Sequence, residues 1–292
     1  MTTADRAGTL VVFTDLDGSL LDERTYEWAP ARAALARLRA ERVPVVPCSS
    51  KTQAEIDVLV AELALSGPFV AENGGVIVIP AGHLPFEPPG ARREGDRLIV
   101  TAGVSRDRLV RSLAQLAAET GVRVLGFAGM STDEIARRTG LEPAAAARAN
   151  RRECDEPFLI LDEPEPGRQA IRRAAAGRGL RVTAGGRFFH LTGDTDKGHA
   201  VLSLVAWYRQ AGRPVSTVGL GDAANDLSLL RAVERPIVIP RADGTADPLL
   251  ARALPQAERA PAPGPAGWNA AVLAVVNGDR LPAVEVASRG ES

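Results

Sequence analysis

The sequence predicts an α/β protein, an open parallel sheet into which an α+β unit is inserted. Three features predict it. Strand-like and helix-like segments alternate from Thr9 to Pro80, several of the strands are continuous apolar runs, and the alternation stops at a Pro- and Gly-rich stretch to resume near Asp196.

The first run, "TLVVFT", suits a strand covered on both faces of a parallel sheet. "WAPARAALARLRAER" follows with helical period, Pro30 being tolerated in a first turn and Leu35 and Leu38 sharing a face. "VPVVPCSS" is a second strand. "KTQAEIDVLVAELAL" is a second helix, with Thr52 and Glu55 spaced as a capping box and Ile56, Leu59, Val60 and Leu63 forming its apolar stripe. "PFVAENGGVIVIP" is a pair of short strands about Asn73 and Gly74, a strong turn signal.

"PAGHLPFEPPG", Pro80 to Gly90, then breaks the pattern. From Arg97 the order is strand, helix, strand, helices from Ser131 to about Asn150, strand, helix and two more strands. The expected organisation is therefore a first core part over residues 1–84, an inserted α+β unit over 85–190 and a second core part over 191–292. "KGHAVLSLVAWYRQAG", "PVSTVGLG", "ANDLSLLRAV" and "PIVIP" restore the alternation, and "ERAPAPGPAG" reads as a loop before a last short helix at "WNAAVLAVVNG".

At 292 residues the chain can bury a large core without staples. A formal net charge of -1 gives no reason to expect nucleic acid or an anionic membrane as partner. The two cysteines, Cys48 and Cys154, have no metal-ligand spacing and make no disulfide scaffold, which fits a cytoplasmic protein. No apolar run approaches the length of a membrane span.

In an open α/β sheet the ligand crevice lies beyond the carboxyl ends of the strands. The first strand delivers Asp15 and Asp17 there, the second Ser49 and Ser50, and "VSTVGLG" delivers Asp222 with Asn225 and Asp226 just beyond. Two carboxylates as close as Asp15 and Asp17 repel, and a low dielectric enlarges the repulsion, so the pair calls for a cation. Hard oxygens without His or Cys partners suit Mg²⁺ rather than zinc. Lys197 opens a helix, where the helix dipole disfavours a cation, so an anion nearby is expected. A phosphate shared by Mg²⁺, Lys197, the Ser49 hydroxyl and backbone N–H groups near Gly18 would be such an anion.

D-x-D-G-S at Asp15, the strand-end serine, the lysine and G-D-x-x-N-D at Gly221, in this order, resemble the four motifs of the haloacid dehalogenase superfamily of phosphatases. The insert resembles the superfamily's large C2-type cap. "SSKT", "ENGG", "RRECDEPF", "GGRFFHL" and "GPAGWN" are similar, more narrowly, to the mannosyl-3-phosphoglycerate phosphatases. The resemblance implies a Rossmann-like core, a Mg²⁺ cofactor and a cytoplasmic phosphomonoesterase of compatible-solute synthesis. Its substrate would be a small phosphorylated sugar-glycerate; glucosyl-3-phosphoglycerate, sucrose phosphate and other sugar phosphates are the alternatives.

The same resemblance assigns roles. Asp15 is the nucleophile, Asp17 the general acid and base, and Ser49 and Lys197 orient the phosphoryl oxygens. The metal is assigned to Asp15, Asp17 through its carbonyl, and Asp222, with Asn225 and Asp226 as additional ligands or supports.

The substrate-binding candidates are Lys51, Glu72, Asn73, Arg187 and His190. A guanidinium fork at Arg187 suits a glycerate carboxylate. Glu72 and Asn73 are sugar acceptors or merely turn residues, His190 a substrate contact or a structural histidine, and Ser50 competes with Ser49. Glu153, Asp155 and Glu156 form a charge run of the kind that usually marks a solvated face.

Overall fold

A computed structural model describes residues 9–161, 165–185 and 188–284. The chain begins with β1 (Thr9–Thr14), α1 (Arg32–Ala40), β2 (Val45–Pro47), α2 (Gln53–Glu62), β3 (Phe69–Ala71), β4 (Val76–Pro80), β5 (Arg92–Glu94) and β6 (Arg97–Thr101). Next come α3 (Arg106–Thr120), β7 (Val124–Gly126), α4 (Thr132–Thr139), α5 (Pro143–Ala149), β8 (Asp155–Ile160), α6 (Glu165–Ala176), β9 (Arg181–Gly185) and β10 (Phe188–Thr192). The chain ends with α7 (Lys197–Gln210), β11 (Val215–Gly221), α8 (Leu227–Arg231), β12 (Arg235–Val238), α9 (Pro248–Ala253), β13 (Glu258–Arg259) and α10 (Gly264–Asn277).

The central sheet is parallel with order β13-β12-β11-β1-β2. A parallel bridge between Cys48 and Val70 brings β3 alongside β2. Val11 and Phe13 face one layer of helices and Val12 the other, and all three are fully buried, as the unbroken apolar run requires. On one side, α1 and α10 pack with Leu35, Leu38, Trp268 and Val272; on the other, α7 and α8 pack with Val201, Leu204 and Leu229. Full burial of each large apolar side chain contributes about 2 kcal/mol. Helix α2 starts on the expected capping box, Thr52 accepting from the Glu55 N–H at 3.2 Å and Glu55 from the Thr52 N–H at 2.9 Å.

The Pro- and Gly-rich stretch at Pro80 to Gly90 lies between β4 and β5, and both β5 and β6 pair antiparallel back into the sheet of β3 and β4. The chain enters the second antiparallel sheet, β7-β8-β10-β9, only after Thr101. Its α3 and α6 side holds Leu109, Leu116, Phe158 and Ile171; its other side holds Phe127, Ile135 and Phe188 near α4 and α5. Among the described residues no helix is long and apolar enough to cross a membrane.

Candidate active site

Strands β1 and β11 are neighbours whose carboxyl ends lie side by side, Thr14 opposite Leu220. The Asp15 N–H donates to the Leu220 carbonyl at 2.9 Å, which sets the first carboxylate beside the turn that carries Asp222. Gly18, at φ +80°, lets the chain turn back against Asp222, and a Cβ there would fall 2.5 Å from Asp222 Oδ2. The Ser19 hydroxyl donates to Asp222 Oδ1 at 3.1 Å.

Lys197, the first residue of α7, is fully buried and donates to Asp15 Oδ1 at 2.5 Å and to Asp226 Oδ1 at 2.6 Å. The anion that its place at a helix start demanded is thus supplied by two side chains. Asp226 is in turn fixed by the N–H groups of Asp222 and Ala223, each donating to its Oδ2 at 3.1 Å. Four strongly held bonds therefore aim one ammonium at one strand-end carboxylate.

Burial pushes the Asp15 carboxyl well above its ordinary range, and Asp226, Asp222 and Asp17 push the same way against the pull of Lys197. Burial and then Asp226 push Asp222 up to about 7. For Lys197 burial works downward, but Asp15 and Asp226 outweigh it and keep it charged. The cluster carries more negative charge than one lysine can balance. Asp15, Asp222 and Asp226 each offer an oxygen within 4.8 Å of the others, a hard-oxygen set that fits a divalent ion such as Mg²⁺. Because both Asp226 oxygens are already engaged, Asp15 and Asp222 are the ones free to hold it.

Asp17 divides its carboxylate: Oδ2 pairs with Lys51 Nζ at 2.9 Å, and Oδ1 is buried with no partner. Lys51 also lies 4.7 Å over the ring of Tyr26. Ser49 is buried at the end of β2, its Oγ accepting from the Lys51 N–H at 3.2 Å. Asn225 is exposed and lines a cleft of about 680 Å³ with Asn73, Asp196 and Ser228. Asn73 donates its N–H to the Ser49 carbonyl at 2.9 Å, and its Oδ1 is buried without a partner. The tight packing of this hairpin tip needs Gly74, at φ +98°, where a Cβ would meet the Asp196 carbonyl at 2.1 Å.

Two candidates face elsewhere. Both oxygens of Glu72 are taken by backbone: the Glu153 N–H donates at 2.9 Å and the Cys154 N–H at 2.6 Å. Burial, opposed by Arg152 and these bonds, pushes its carboxyl up to about 7. His190 Nδ1 donates to Asp155 Oδ2 at 2.7 Å inside the inserted unit. Arg187 lies outside the described residues. The Cys48 thiol is buried and pushed upward by burial, which makes it a packing residue.

The charge run is a correction: Asp155 and Glu156 are fully buried, not solvated. Asp155 pairs with Arg152 and His190; burial works upward on it, and these two partners outweigh burial and hold it below its ordinary range. Glu156 accepts from Arg106 Nε and from the Ala128 N–H, both at 2.8 Å. Their partners lie on other segments, which a local charge pattern cannot reveal. Sequence reasoning also missed Tyr26, and it missed Trp268, whose buried indole N–H donates to Thr14 Oγ1 at 2.9 Å.

A family of haloacid dehalogenase-like hydrolases matches residues 12–87. A glucosyl-3-phosphoglycerate/mannosyl-3-phosphoglycerate phosphatase of Methanococcoides burtonii is 38% identical over 266 residues, covering 91% of this chain and 97% of the relative. A protein of the same name from Persephonella marina is 34% identical over 271 residues, covering 92% and 97%. Among solved structures, a phosphatase of the haloalkanoate superfamily from Bacteroides thetaiotaomicron aligns with a TM-score of 0.63 at 16% identity, over 95% of this chain and 97% of that one. At that identity the likeness concerns the fold alone.

Proposed function

We propose, for a chain that belongs to the haloacid dehalogenase-like hydrolases, that it removes phosphate from mannosyl-3-phosphoglycerate, with the glucosyl counterpart as the second substrate. The observation that carries this reading is Lys197 bridging Asp15 and Asp226, with Asp222 alongside and Asp17 at the mouth. The names of the two relatives support the substrate and include both sugars.

Hydrolysis of a phosphate monoester needs a nucleophile in line with the leaving oxygen and balance for charge on the transferring group. An Asp15 oxygen forms a bond to phosphorus while the ester bond breaks, and Asp17 gives a proton to the departing glycerate oxygen. Water then attacks the aspartyl-phosphate, Asp17 takes its proton, and Asp15 is released with inorganic phosphate. Lys197 holds the Asp15 carboxylate in one orientation, and the Ser49 hydroxyl donates to a phosphoryl oxygen. Asp15, the Asp17 carbonyl and Asp222 would hold Mg²⁺, which would supply Lewis-acid charge balance when bound. Asp226, both of whose oxygens are already bonded, supports the turn rather than the ion.

The inserted unit, expected at residues 85–190, starts in this reading only after Thr101, because β5 and β6 pair into the sheet of β3 and β4, and it serves as the cover that excludes water. The test is phosphate release from the two glycosyl-3-phosphoglycerates and from hexose phosphates, with and without Mg²⁺, on wild type and Asp15→Asn. Preference for the glycosyl-phosphoglycerates, lost in Asp15→Asn, is expected. Equal rates on unrelated hexose phosphates would refute the substrate, and undiminished turnover in Asp15→Asn would refute the nucleophile.

A further inference from the structure

We propose that Lys51, backed by Tyr26, reads the carboxylate of the leaving group and so selects phosphoglycerates over phosphorylated alcohols. This rests on the sugar-linked phosphoglycerate reading above. Lys51 is tied at both ends of its residue. Its backbone is set by the Glu72 N–H donating to its carbonyl at 3.0 Å and by its own N–H donating to Ser49 Oγ. Its ammonium lies at Asp17 Oδ2. A single residue thus spans from the hydroxyl assigned to the phosphoryl group to the carboxyl assigned to the leaving oxygen.

The two Asp17 oxygens are not equivalent. Oδ1 is buried and unpartnered, which leaves it for the ester oxygen, while Oδ2 is held by Lys51. In a 3-phosphoglycerate unit the ester oxygen and the carboxylate stand at the two ends of one three-carbon chain. A substrate whose ester oxygen meets Oδ1 therefore brings its carboxylate toward the cation on Oδ2. An ammonium has three donors, and one bond to Asp17 leaves others for that carboxylate.

Tyr26 makes this a built feature rather than a chance ion pair. It is 45% exposed yet held at φ +59°, a conformation that is strained for a residue with a Cβ and tends to persist where the surroundings impose it. The surroundings here are a loop wound on Asp22. Asp22 Oδ1 accepts from the Arg24 and Thr25 N–H groups at 3.0 and 2.9 Å, and the Tyr26 N–H donates to the Asp22 carbonyl at 3.0 Å. The outcome is an aromatic face under Lys51 at the mouth of the site. The ring holds the ammonium by cation–π attraction and shields one side of it from water.

The experiment measures kcat and KM for mannosyl-3-phosphoglycerate and for its analogue with the carboxylate reduced to hydroxymethyl. The proteins are wild type, Lys51→Met, Lys51→Arg and Tyr26→Leu. Wild type is expected to prefer the carboxylate by roughly ten- to a hundredfold in kcat/KM, the size of one charge-assisted contact. Lys51→Met is expected to erase that ratio, chiefly through KM of the carboxylated substrate, whereas Lys51→Arg retains part of it. Any loss of proton transfer at Asp17 falls on both substrates alike and leaves the ratio untouched.

An undiminished ratio in Lys51→Met, with losses shared equally, would overturn the inference and leave Lys51 as a support for Asp17. Should Lys51→Met not fold, Tyr26→Leu at its exposed position carries the test, a severalfold narrower ratio supporting and an unchanged one refuting. Phosphate release from neither glycosyl-3-phosphoglycerate by wild type would instead sink the substrate reading itself.

Discussion

Replacing Thr14 by valine would test how Asp15, the proposed nucleophile, is held. The Thr14 hydroxyl donates to the Asp15 carbonyl at 2.7 Å and accepts from the Trp268 indole N–H at 2.9 Å, all within fully buried surroundings. Valine has the same shape and suits a strand, so packing and propensity barely change. What changes is that an indole N–H and a carbonyl lose a partner in a dry interior. A buried group left unsatisfied costs about 1–3 kcal/mol, so the two together predict about 2–6 kcal/mol in unfolding free energy. Thr14→Ser keeps both bonds and loses only a methyl group, about 1 kcal/mol. Urea denaturation followed by tryptophan fluorescence reads the difference. The same change releases the Asp15 peptide, so kcat is expected to fall about tenfold or more in Thr14→Val while KM moves little. If Thr14→Val and Thr14→Ser match in both stability and kcat, the Trp268–Thr14–Asp15 chain has no positioning role.

Other perturbations follow from the same network. Lys197→Met leaves the Asp15 and Asp226 carboxylates buried without their shared cation, so a loss of about 3–5 kcal/mol in stability is expected together with loss of turnover, read by thermal melts and phosphate release. Glu72 has a folded pKa near 7 against an ordinary 4.5, so its stabilising contribution is complete below the ordinary value and is lost as pH climbs through 7. Wild type should therefore lose on the order of 3 kcal/mol more than Glu72→Gln between about pH 5 and about pH 8; equal pH slopes in urea titrations would contradict this. Mg²⁺ should raise the melting temperature of wild type, by a stabilisation of about 3 kcal/mol at a hundredfold excess over its dissociation constant, and much less that of Asp222→Asn.

The acidic cluster of Asp15, Asp222 and Asp226 was legible because its signals are local. An unbroken apolar run ending in Asp15 can only be a buried strand that stops at a charge, and the capping box at Thr52 fixes where the next helix begins. Two short charged strands were not legible. Strand β13 has two residues and β5 three, all charged, so neither carries a hydrophobic period. Asp155 and Glu156 misled for a different reason. Charge in sequence reads as solvation, and only the fold shows that Arg106, Arg152 and His190 come to meet them. Thr14 and Trp268 are 254 positions apart, and nothing in either neighbourhood announces the other.

The residues expected to grip sugar have a consequence for how the site opens. Glu72 holds the backbone of Glu153 and Cys154, Arg152 donates to the Ser50 carbonyl at 3.1 Å, and the Thr52 hydroxyl donates to the Arg148 carbonyl at 3.0 Å. Each bond joins the loop or hairpin beside Ser49 and Lys51 to the last turn of α5 or to the segment between α5 and β8. The other connections, at Gly103 and Gly193, run against each other, a Cβ on Gly193 falling 2.8 Å from a Val104 methyl. Movement of the inserted unit therefore either breaks these four bonds or carries the "SSKT" loop with it. Because Ser49 and Lys51 sit on that loop, closure of the proposed cover and assembly of the proposed phosphoglycerate contacts would be one event. A substitution that loosens the link, such as Thr52→Ala, should accordingly weaken substrate binding without touching substrate.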